Sequence, residues 1–98
     1  MAKPLNHIKV ITKDTASVTN ASGVVLAAND RRLYAEIVNQ SANNIWLAFG
    51  EAAVVGEGIY LAPNGFSFVI NTDFLWRGNV TAISDVAGPS VLTVLDGQ

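Results

Sequence analysis

The chain has 98 residues and a mass of 10.4 kDa; half of its residues are apolar, 14% are charged, and its mean hydropathy is +0.33. This composition excludes a disordered tail, which needs low hydrophobicity and high charge. The absence of cysteine excludes disulfides and thiolate metal sites, and the net charge of −2 argues against a general nucleic-acid binder.

The N-terminal segment, residues 1–30, and the two arginines that follow it are the basic part of the chain. Five of the six Lys and Arg residues lie within the first 32 residues: Lys3, Lys9, Lys13, Arg31 and Arg32. One interpretation is that the lysines keep an edge strand of the protein's own sheet soluble. The other is that this segment, together with the two arginines, docks on an acidic or edge-strand surface of a partner. Strands are predicted over Ile8–Ile11, Ala16–Val18 and Val24–Ala28.

Two features of this segment bear on membranes and export. No apolar stretch follows Met1-Ala2-Lys3-Pro4, so no signal peptide is expected. The longest apolar run, Val24 to Ala28, is much shorter than a membrane-spanning segment. No membrane partner is therefore expected.

The next two elements alternate between apolar and other residues with a period of two, which indicates strands. Residues 33–39 and residues 45–49 follow this pattern, and Asn43-Asn44 between them is typical of a turn. The sequence therefore predicts a hairpin that joins these two strands. In that hairpin Tyr34 and Trp46 would lie on the outer face, side by side across the strands.

Short strands separated by turn residues continue to the end of the chain. Pro63-Asn64-Gly65 is a sequence typical of a turn. The β-branched residues Val, Ile and Thr far outnumber Glu, Gln and Lys, which favours strands. We expect one domain over residues 1–98, an all-β antiparallel sandwich resembling a jelly roll. The predicted strands from Arg32 onward lie near 32–40, 44–49, 58–62, 66–70, 79–84 and 90–95. The predicted core consists of Leu33, Ile37, Ile45, Leu47, Phe49, Leu61, Phe68, Ile70 and Ile83.

The sequence contains few residues of the types that catalysis or metal binding requires. The single histidine, His7, lies near the chain start and is interpreted as a solvent-facing residue. Zinc needs more imidazole or thiolate ligands than the chain has, and the acidic residues are too scattered for a calcium loop. Glu51 and Glu57 could meet in space and act as a glycosidase pair, which leaves a small hydrolase open. We predict no enzyme, no catalytic residues, no metal and no cofactor.

Binding through an apolar surface is the remaining class of function. A domain this small and apolar has too little interior to bury all its apolar surface, so association with further copies of itself is expected. Phe74, Leu75 and Trp76, followed by Arg77, form an apolar cluster in a loop-like segment. Trp46 offers a wide ring that could anchor a protein interface or stack on a sugar. These five residues, with Lys3, Lys9 and Lys13, are the candidate protein-interface residues.

Several runs in residues 31–95 carry a family resemblance. They are Arg32-Leu33-x-x-x-Ile37-x-Asn39-x-Ser41, Ile45-Trp46-Leu47-Ala48-Phe49-Gly50, Gly58-Ile59-x-Leu61-x-Pro63-x-Gly65 and Gly78-Asn79-Val80-Thr81-Ala82-Ile83, before a terminal hydrophobic strand. This pattern is similar to the small β-sandwich virion proteins of tailed bacteriophages. A chain this short most resembles a capsid decoration, or cement, protein.

The resemblance implies a non-enzymatic structural protein that is made in the host bacterial cytoplasm and then binds the surface of the assembled capsid and stabilises it. Its partners would be the phage major capsid protein and other copies of itself, with a homotrimer implied. The same pattern occurs in tail, fibre or baseplate modules. A module of that kind, including one that binds carbohydrate, is therefore the alternative.

Overall fold

The computed structural model describes residues 8–98, and this part of the chain forms eight β-strands and no helix. The strands are β1 (Ile11–Val18), β2 (Gly23–Leu26), β3 (Tyr34–Asn39), β4 (Ile45–Phe49), β5 (Ile59–Leu61), β6 (Ser67–Ile70), β7 (Val80–Ser84) and β8 (Ser90–Gly97). The six strands predicted between residues 32 and 95 are confirmed, with ends that agree within two residues. With no helix in its described part, this chain presents no helical membrane span there.

Two four-stranded antiparallel sheets enclose one core, and the strands pair as in a rolled ribbon. Sheet A has the order β1-β8-β3-β6, and sheet B has the order β2-β7-β4-β5. The pairs β1–β8, β2–β7, β3–β6 and β4–β5 make one long two-stranded ribbon with β4 and β5 at its tip. Successive ribbon segments lie in opposite sheets, and the roll brings β8 beside β3 and β7 beside β4. This order is that of a jelly roll, so the predicted fold class is confirmed.

The predicted hairpin between residues 33–39 and 45–49 is wrong. β3 lies in sheet A beside β6 and β8, whereas β4 lies in sheet B beside β5 and β7. The turn at Asn43-Asn44 therefore carries the chain from one sheet to the other. Trp46 lies opposite Tyr60 of β5, and not beside Tyr34. The alternation of apolar and polar residues shows only which side chains of a strand are buried. The same alternation is therefore expected whether the next strand pairs with the first one or lies in the other sheet.

The core fills the space between the inner faces of the two sheets. Five of the nine predicted core residues lie in it: Ile37, Ile45, Leu47, Leu61 and Ile70. Phe49 and Phe68 are only partly buried and pack against its margin, Leu33 is also partly exposed, and Ile83 is buried beside Trp46 on the outer face of sheet B. Seven further core residues were not predicted: Val18, Leu26, Ala35, Val80, Ala82, Leu92 and Val94.

Arg32 is the largest fully buried side chain among the described residues. Its Nε donates to Oδ1 of Asp96 at 3.0 Å, in the one ion pair that residues 8–98 contain. One terminal nitrogen donates to the carbonyls of Trp76 and Gly78, and the other donates to the carbonyl of Ala27. The guanidinium thus joins two other segments of chain, at Ala27 and at Trp76–Gly78, to β8. The hypothesis that Arg32 belongs to a basic docking segment is wrong, because this side chain has no exposed surface.

Asn39, in the Asn39-x-Ser41 part of the sequence motif, is a second buried polar junction. Its Nδ2 donates to the carbonyls of Asn43 and Leu61, at 2.8 and 3.0 Å. Its Oδ1 accepts hydrogen bonds from the backbone nitrogen and the hydroxyl of Ser41. All the donors and acceptors of this buried side-chain amide are therefore hydrogen-bonded. The amide lies where the chain leaves sheet A for sheet B.

The loop between β4 and β5 covers part of the outer face of sheet B. The Thr81 hydroxyl donates to the carbonyl of Glu51 at 2.6 Å, and the amide of Ala53 donates to the Ser22 hydroxyl at 2.8 Å. The loop returns to β5 through Gly58, which has φ of +85° and lies so close to the Leu47 carbonyl that a Cβ would collide with it.

Candidate protein-binding surfaces

The predicted apolar loop at Phe74, Leu75 and Trp76 folds onto its own sandwich. The Phe49 ring is the centre of an aromatic cluster, with ring centroids 5.6 Å from Phe68, 5.6 Å from Phe74 and 6.0 Å from Trp76. The indole nitrogen of Trp76 donates to the carbonyl of Asn79 at 2.8 Å. These contacts make Trp76 a packing residue of the protein's own margin.

The rest of that loop is accessible. Phe74 and Leu75 keep 47% and 36% of their surface exposed. Arg77 is exposed as well, although its Nε donates to the backbone carbonyl of Arg32 at 3.0 Å. Phe74 and Leu75 are therefore the two apolar members of the predicted loop that can still contact another molecule.

Trp46 and Tyr60 form an aromatic pair on the outer face of sheet B. They lie directly opposite each other on β4 and β5, with ring centroids 5.5 Å apart and planes tilted by 42°. Tyr60 is 52% exposed, and its hydroxyl donates to Oδ1 of Asn44 at 2.6 Å. The amide of Asn44 donates in turn to the carboxylate of Asp85 at 3.2 Å. We call these four residues the aromatic patch: two rings bordered by an amide and a carboxylate.

The basic residues of the N-terminal segment do not form one cluster in the described chain. The backbone nitrogens of Lys9 and Val10 donate to the carbonyl of Gln98, and Lys13 of β1 lies opposite Leu95 of β8. Both lysine side chains are exposed. Residues 11–18 of this segment thus form β1 at the edge of the protein's own sheet A, as in the first of the two interpretations. Lys3 and His7 lie outside the described residues.

The outer face of sheet A, which we call the A face, is a second exposed sheet surface of the described chain. Exposed apolar side chains lie on three of its strands: Ile11 on β1, Val91 on β8 and Val69 on β6. Between them Leu95 and Val38 are half-buried by their neighbours. The described chain covers this face at one end, where Ile8 lies over Gly97.

One row across the A face carries opposite charges. The strand register aligns Lys13 of β1, Leu95 of β8, Glu36 of β3 and Val69 of β6. The hydroxyl of Tyr34 donates to Oε1 of Glu36 at 2.9 Å. Burial, this hydrogen bond and the nearby negative charge all raise the pKa of Tyr34 above 10.0. The row therefore presents a cation, an apolar centre and an anion in register.

The acidic residues considered for hydrolysis border only a small depression. Glu51 and Glu57 both line it, and its volume is about 100 Å³, whereas pockets for small molecules usually have about 300–1,000 Å³. The space beside the two carboxylates is therefore small for a sugar substrate.

A larger groove of about 310 Å³ lies at the open edge of the sandwich, between β1 and β2. Asp14 and Asp96 are on its walls, with Leu26 and Val94 from the core. The Asp96 carboxylate already accepts the guanidinium of Arg32. No group of three acidic or histidine side chains in the described part of the chain is arranged to hold a metal ion.

Sequence reasoning named Tyr60 as a ring that could anchor an interface or stack on a sugar, but it paired Trp46 with Tyr34 instead, and it did not identify Glu36 as the anion of the A face. Tyr60 lies in the short strand β5, and which strand pairs with β5 is decided by the overall fold. No local sequence pattern therefore connects Tyr60 to Trp46. Glu36 alternates with buried Ala35 and Ile37, and that alternation does predict an outward side chain. What it does not predict is that β8 places Lys13 in the same row.

Comparisons with protein families, with curated proteins and with solved structures found no match to this chain.

Proposed function

We propose that this protein is a non-enzymatic structural protein of a tailed-bacteriophage virion, a head decoration or cement protein that binds the assembled capsid and stabilises it. The resemblance over residues 31–95 supplies the class of protein. The observation that carries the binding role is the aromatic patch, because exposed Tyr and Trp rings with polar neighbours are enriched at protein interfaces. Jelly rolls are also common among viral capsid domains.

The physical properties of the fold suit such a role. A sandwich of two hydrogen-bonded sheets loses little conformational entropy when it docks, so more of the contact energy remains as affinity. An oligomer that bridges repeated sites on a capsid makes its second and later contacts intramolecularly. Many modest contacts can then give tight attachment without a deep pocket.

The test is binding of purified protein to undecorated capsids. Tyr60→Ala should weaken binding by about 30-fold if Tyr60 anchors the interface, since anchor residues cost about 2 kcal/mol when truncated. Phe66→Ala is the control, because Phe66 is an exposed aromatic residue (63%) outside the aromatic patch. Equal binding by wild type and Tyr60→Ala, with both folded, would remove the aromatic patch from the proposed interface.

The N-terminal segment is a second proposed contact with the capsid. Lys9 keeps its side chain exposed, so it can steer the approach to an acidic surface even though its backbone is paired. Steering of this kind weakens as salt rises, since the screening length is about 8 Å at physiological ionic strength. Deletion of residues 1–6 combined with Lys9→Glu should slow binding to capsids at low salt. Unchanged association rates would place the contact on the body of the sandwich alone.

Self-association is part of the same proposal, and the resemblance implies three copies. Exposed apolar residues on the A face and in the Phe74–Leu75 loop support it. Light scattering at micromolar concentration should give a particle larger than the 10.4 kDa chain. A monomer would mean that the apolar surface serves the capsid only.

The second candidate function is a carbohydrate-binding module of a tail or fibre. The arrangement that favours it is the polar border of the aromatic patch, where Asn44 and Asp85 could bind sugar hydroxyls beside the Tyr60 ring. Titration with host surface sugars should then change the fluorescence of Trp46, and Asn44→Ala should abolish the change. No response to any sugar on an array would exclude this candidate.

A further inference from the structure

The A face has a charge pattern that complements a copy of itself. Lys13 lies one strand to one side of Leu95 in β8, and Glu36 lies one strand to the other side, all in one row. Leu95 lies between the two charged residues in this row, and the described residues give neither Lys13 nor Glu36 an ion-pair partner. Surfaces that pair with a copy of themselves need this property: each group must face its complement after the symmetry operation.

A two-fold axis parallel to β8 and passing over Leu95 satisfies this requirement. It turns one A face onto another so that β8 faces β8, and β1 of each copy faces β3 of the other. Lys13 of each copy then faces Glu36 of the other, which gives two ion pairs around a Leu95–Leu95 contact. In the neighbouring row away from Ile8, Thr15 would face Val38.

The charges also select this axis over the other face-to-face arrangement. A two-fold axis that runs along the Lys13–Leu95–Glu36 row, across the strands, would place Lys13 against Lys13 and Glu36 against Glu36. Both contacts are repulsive, and like charges placed together at an interface are strongly unfavourable. The arrangement parallel to β8 is therefore the one that the A face supports.

Ordinary sheet geometry allows the contact. Aligned sheets pack about 10 Å apart and cross at roughly 30°. Lys13 and Glu36 are each one strand, about 4.8 Å, from β8, so the crossing angle moves them by only a few ångströms. Long Lys and Glu side chains can span that displacement. The contact would also cover Ile11 and Val91, which are 58% and 44% exposed in the single chain.

We infer that the A face is the site at which two copies of this chain pair, through Leu95 and two reciprocal Lys13–Glu36 ion pairs. This inference rests on the self-association in the proposed function, but it needs no capsid. It commits to a pair of chains, whereas the resemblance implies three.

The experiment measures self-association of the isolated full chain by sedimentation over a range of concentrations. Lys13→Glu alone and Glu36→Lys alone should each weaken pairing by about tenfold or more, because each places like charges together twice. The double variant Lys13→Glu/Glu36→Lys should pair about as well as wild type. Lys9→Glu and Glu57→Lys are the controls, since both residues are exposed and lie outside the row.

Mixing the two single variants gives the sharpest result. In a mixed pair, the glutamate that Lys13→Glu introduces in one chain faces the lysine that Glu36→Lys introduces in the other. At the second site the native Glu36 of the first chain faces the native Lys13 of the second. Pairing should therefore return when the two weakened variants are combined, which no effect within one chain can produce.

The inference would be overturned by a wild-type chain that stays monomeric, by single variants that pair as well as wild type, or by a mixture that pairs no better than its components. A wild-type mass of three chains would also overturn it and would support the trimer. Capsid binding is measured separately, so failure of pairing leaves the proposed capsid binding standing, and failure of capsid binding leaves the pairing result intact.

Discussion

Replacing Arg32 with methionine should strongly destabilise the fold. Methionine retains much of the aliphatic volume and removes the guanidinium. The carbonyls of Ala27, Trp76 and Gly78, which accept from it at 2.6, 3.0 and 2.9 Å, would lose their partner. Asp96 would lose its ion pair.

The magnitude follows from these contacts. Removing one partner of a buried ion pair costs about 3–5 kcal/mol, and each buried acceptor left without a donor costs about 1–3 kcal/mol. The Asp96 side chain is 20% exposed, so water can partly replace the lost partner. We therefore expect Arg32→Met to lower the free energy of unfolding by about 3–5 kcal/mol, the range for the ion pair, rather than by the full sum. A domain of this size has about 5–15 kcal/mol in total, so the variant should still be measurable.

The assay is urea unfolding followed by tryptophan fluorescence. The control is Arg31→Met, because Arg31 is the neighbouring residue and its side chain is exposed. It should stay within about 0.5 kcal/mol of wild type. Asp96→Asn should cost less than Arg32→Met, since the guanidinium would keep its three carbonyl partners. If Arg32→Met matched Arg31→Met, the buried guanidinium would not hold these segments together and the reasoning would be refuted.

Three further predictions concern the core, a turn and a titrating side chain. Leu47→Ala should lower the free energy of unfolding by about 2–5 kcal/mol, because Leu47 is fully buried and a cavity would remain; a loss below about 1 kcal/mol would contradict its place in the core. Gly56 and Gly58 both have φ of +85°, but only at Gly58 would a Cβ meet the chain. Gly58→Ala should therefore destabilise by more than the roughly 1–2 kcal/mol expected for Gly56→Ala, and equal losses in urea would contradict the steric argument. Because folding raises the pKa of Tyr34, its contribution to stability is present below pH 10.0 and is lost as the pH rises through the raised value. Phenolate absorbance should show a lower pKa for Tyr34 in Glu36→Gln, and an unchanged titration would contradict the role of Glu36.

The sequence by itself determined the six strands from residue 32 onward, the fold class and part of the core, whereas the structure has one strand, Ile11–Val18, where two were predicted over Ile8–Ile11 and Ala16–Val18. Alternation in residues 33–39 and 45–49 identified Ile37, Ile45 and Leu47 as buried, and the structure agrees. Pro63-Asn64-Gly65 correctly marked a turn, where Asn64 and Gly65 have φ of 66° and 100°. These features are local, because side-chain alternation and backbone dihedral angles depend on residues within a few positions.

Only the tertiary structure decided which strands are neighbours and which surfaces result. Residues 33–39 and 45–49 have the pattern of a hairpin, yet they lie in different sheets, because every strand offers the same backbone donors and acceptors to any partner. Arg32 has a charged neighbour and lies in a segment whose composition predicts exposure. It is nevertheless buried, because β8 places Asp96, 64 residues away in the chain, beside it. The register of β1, β8 and β3 likewise places Lys13 and Glu36 in one row. Such contacts join residues that are far apart in the chain. They form only when the whole two-stranded ribbon has rolled into the two sheets, so no local sequence pattern predicts them.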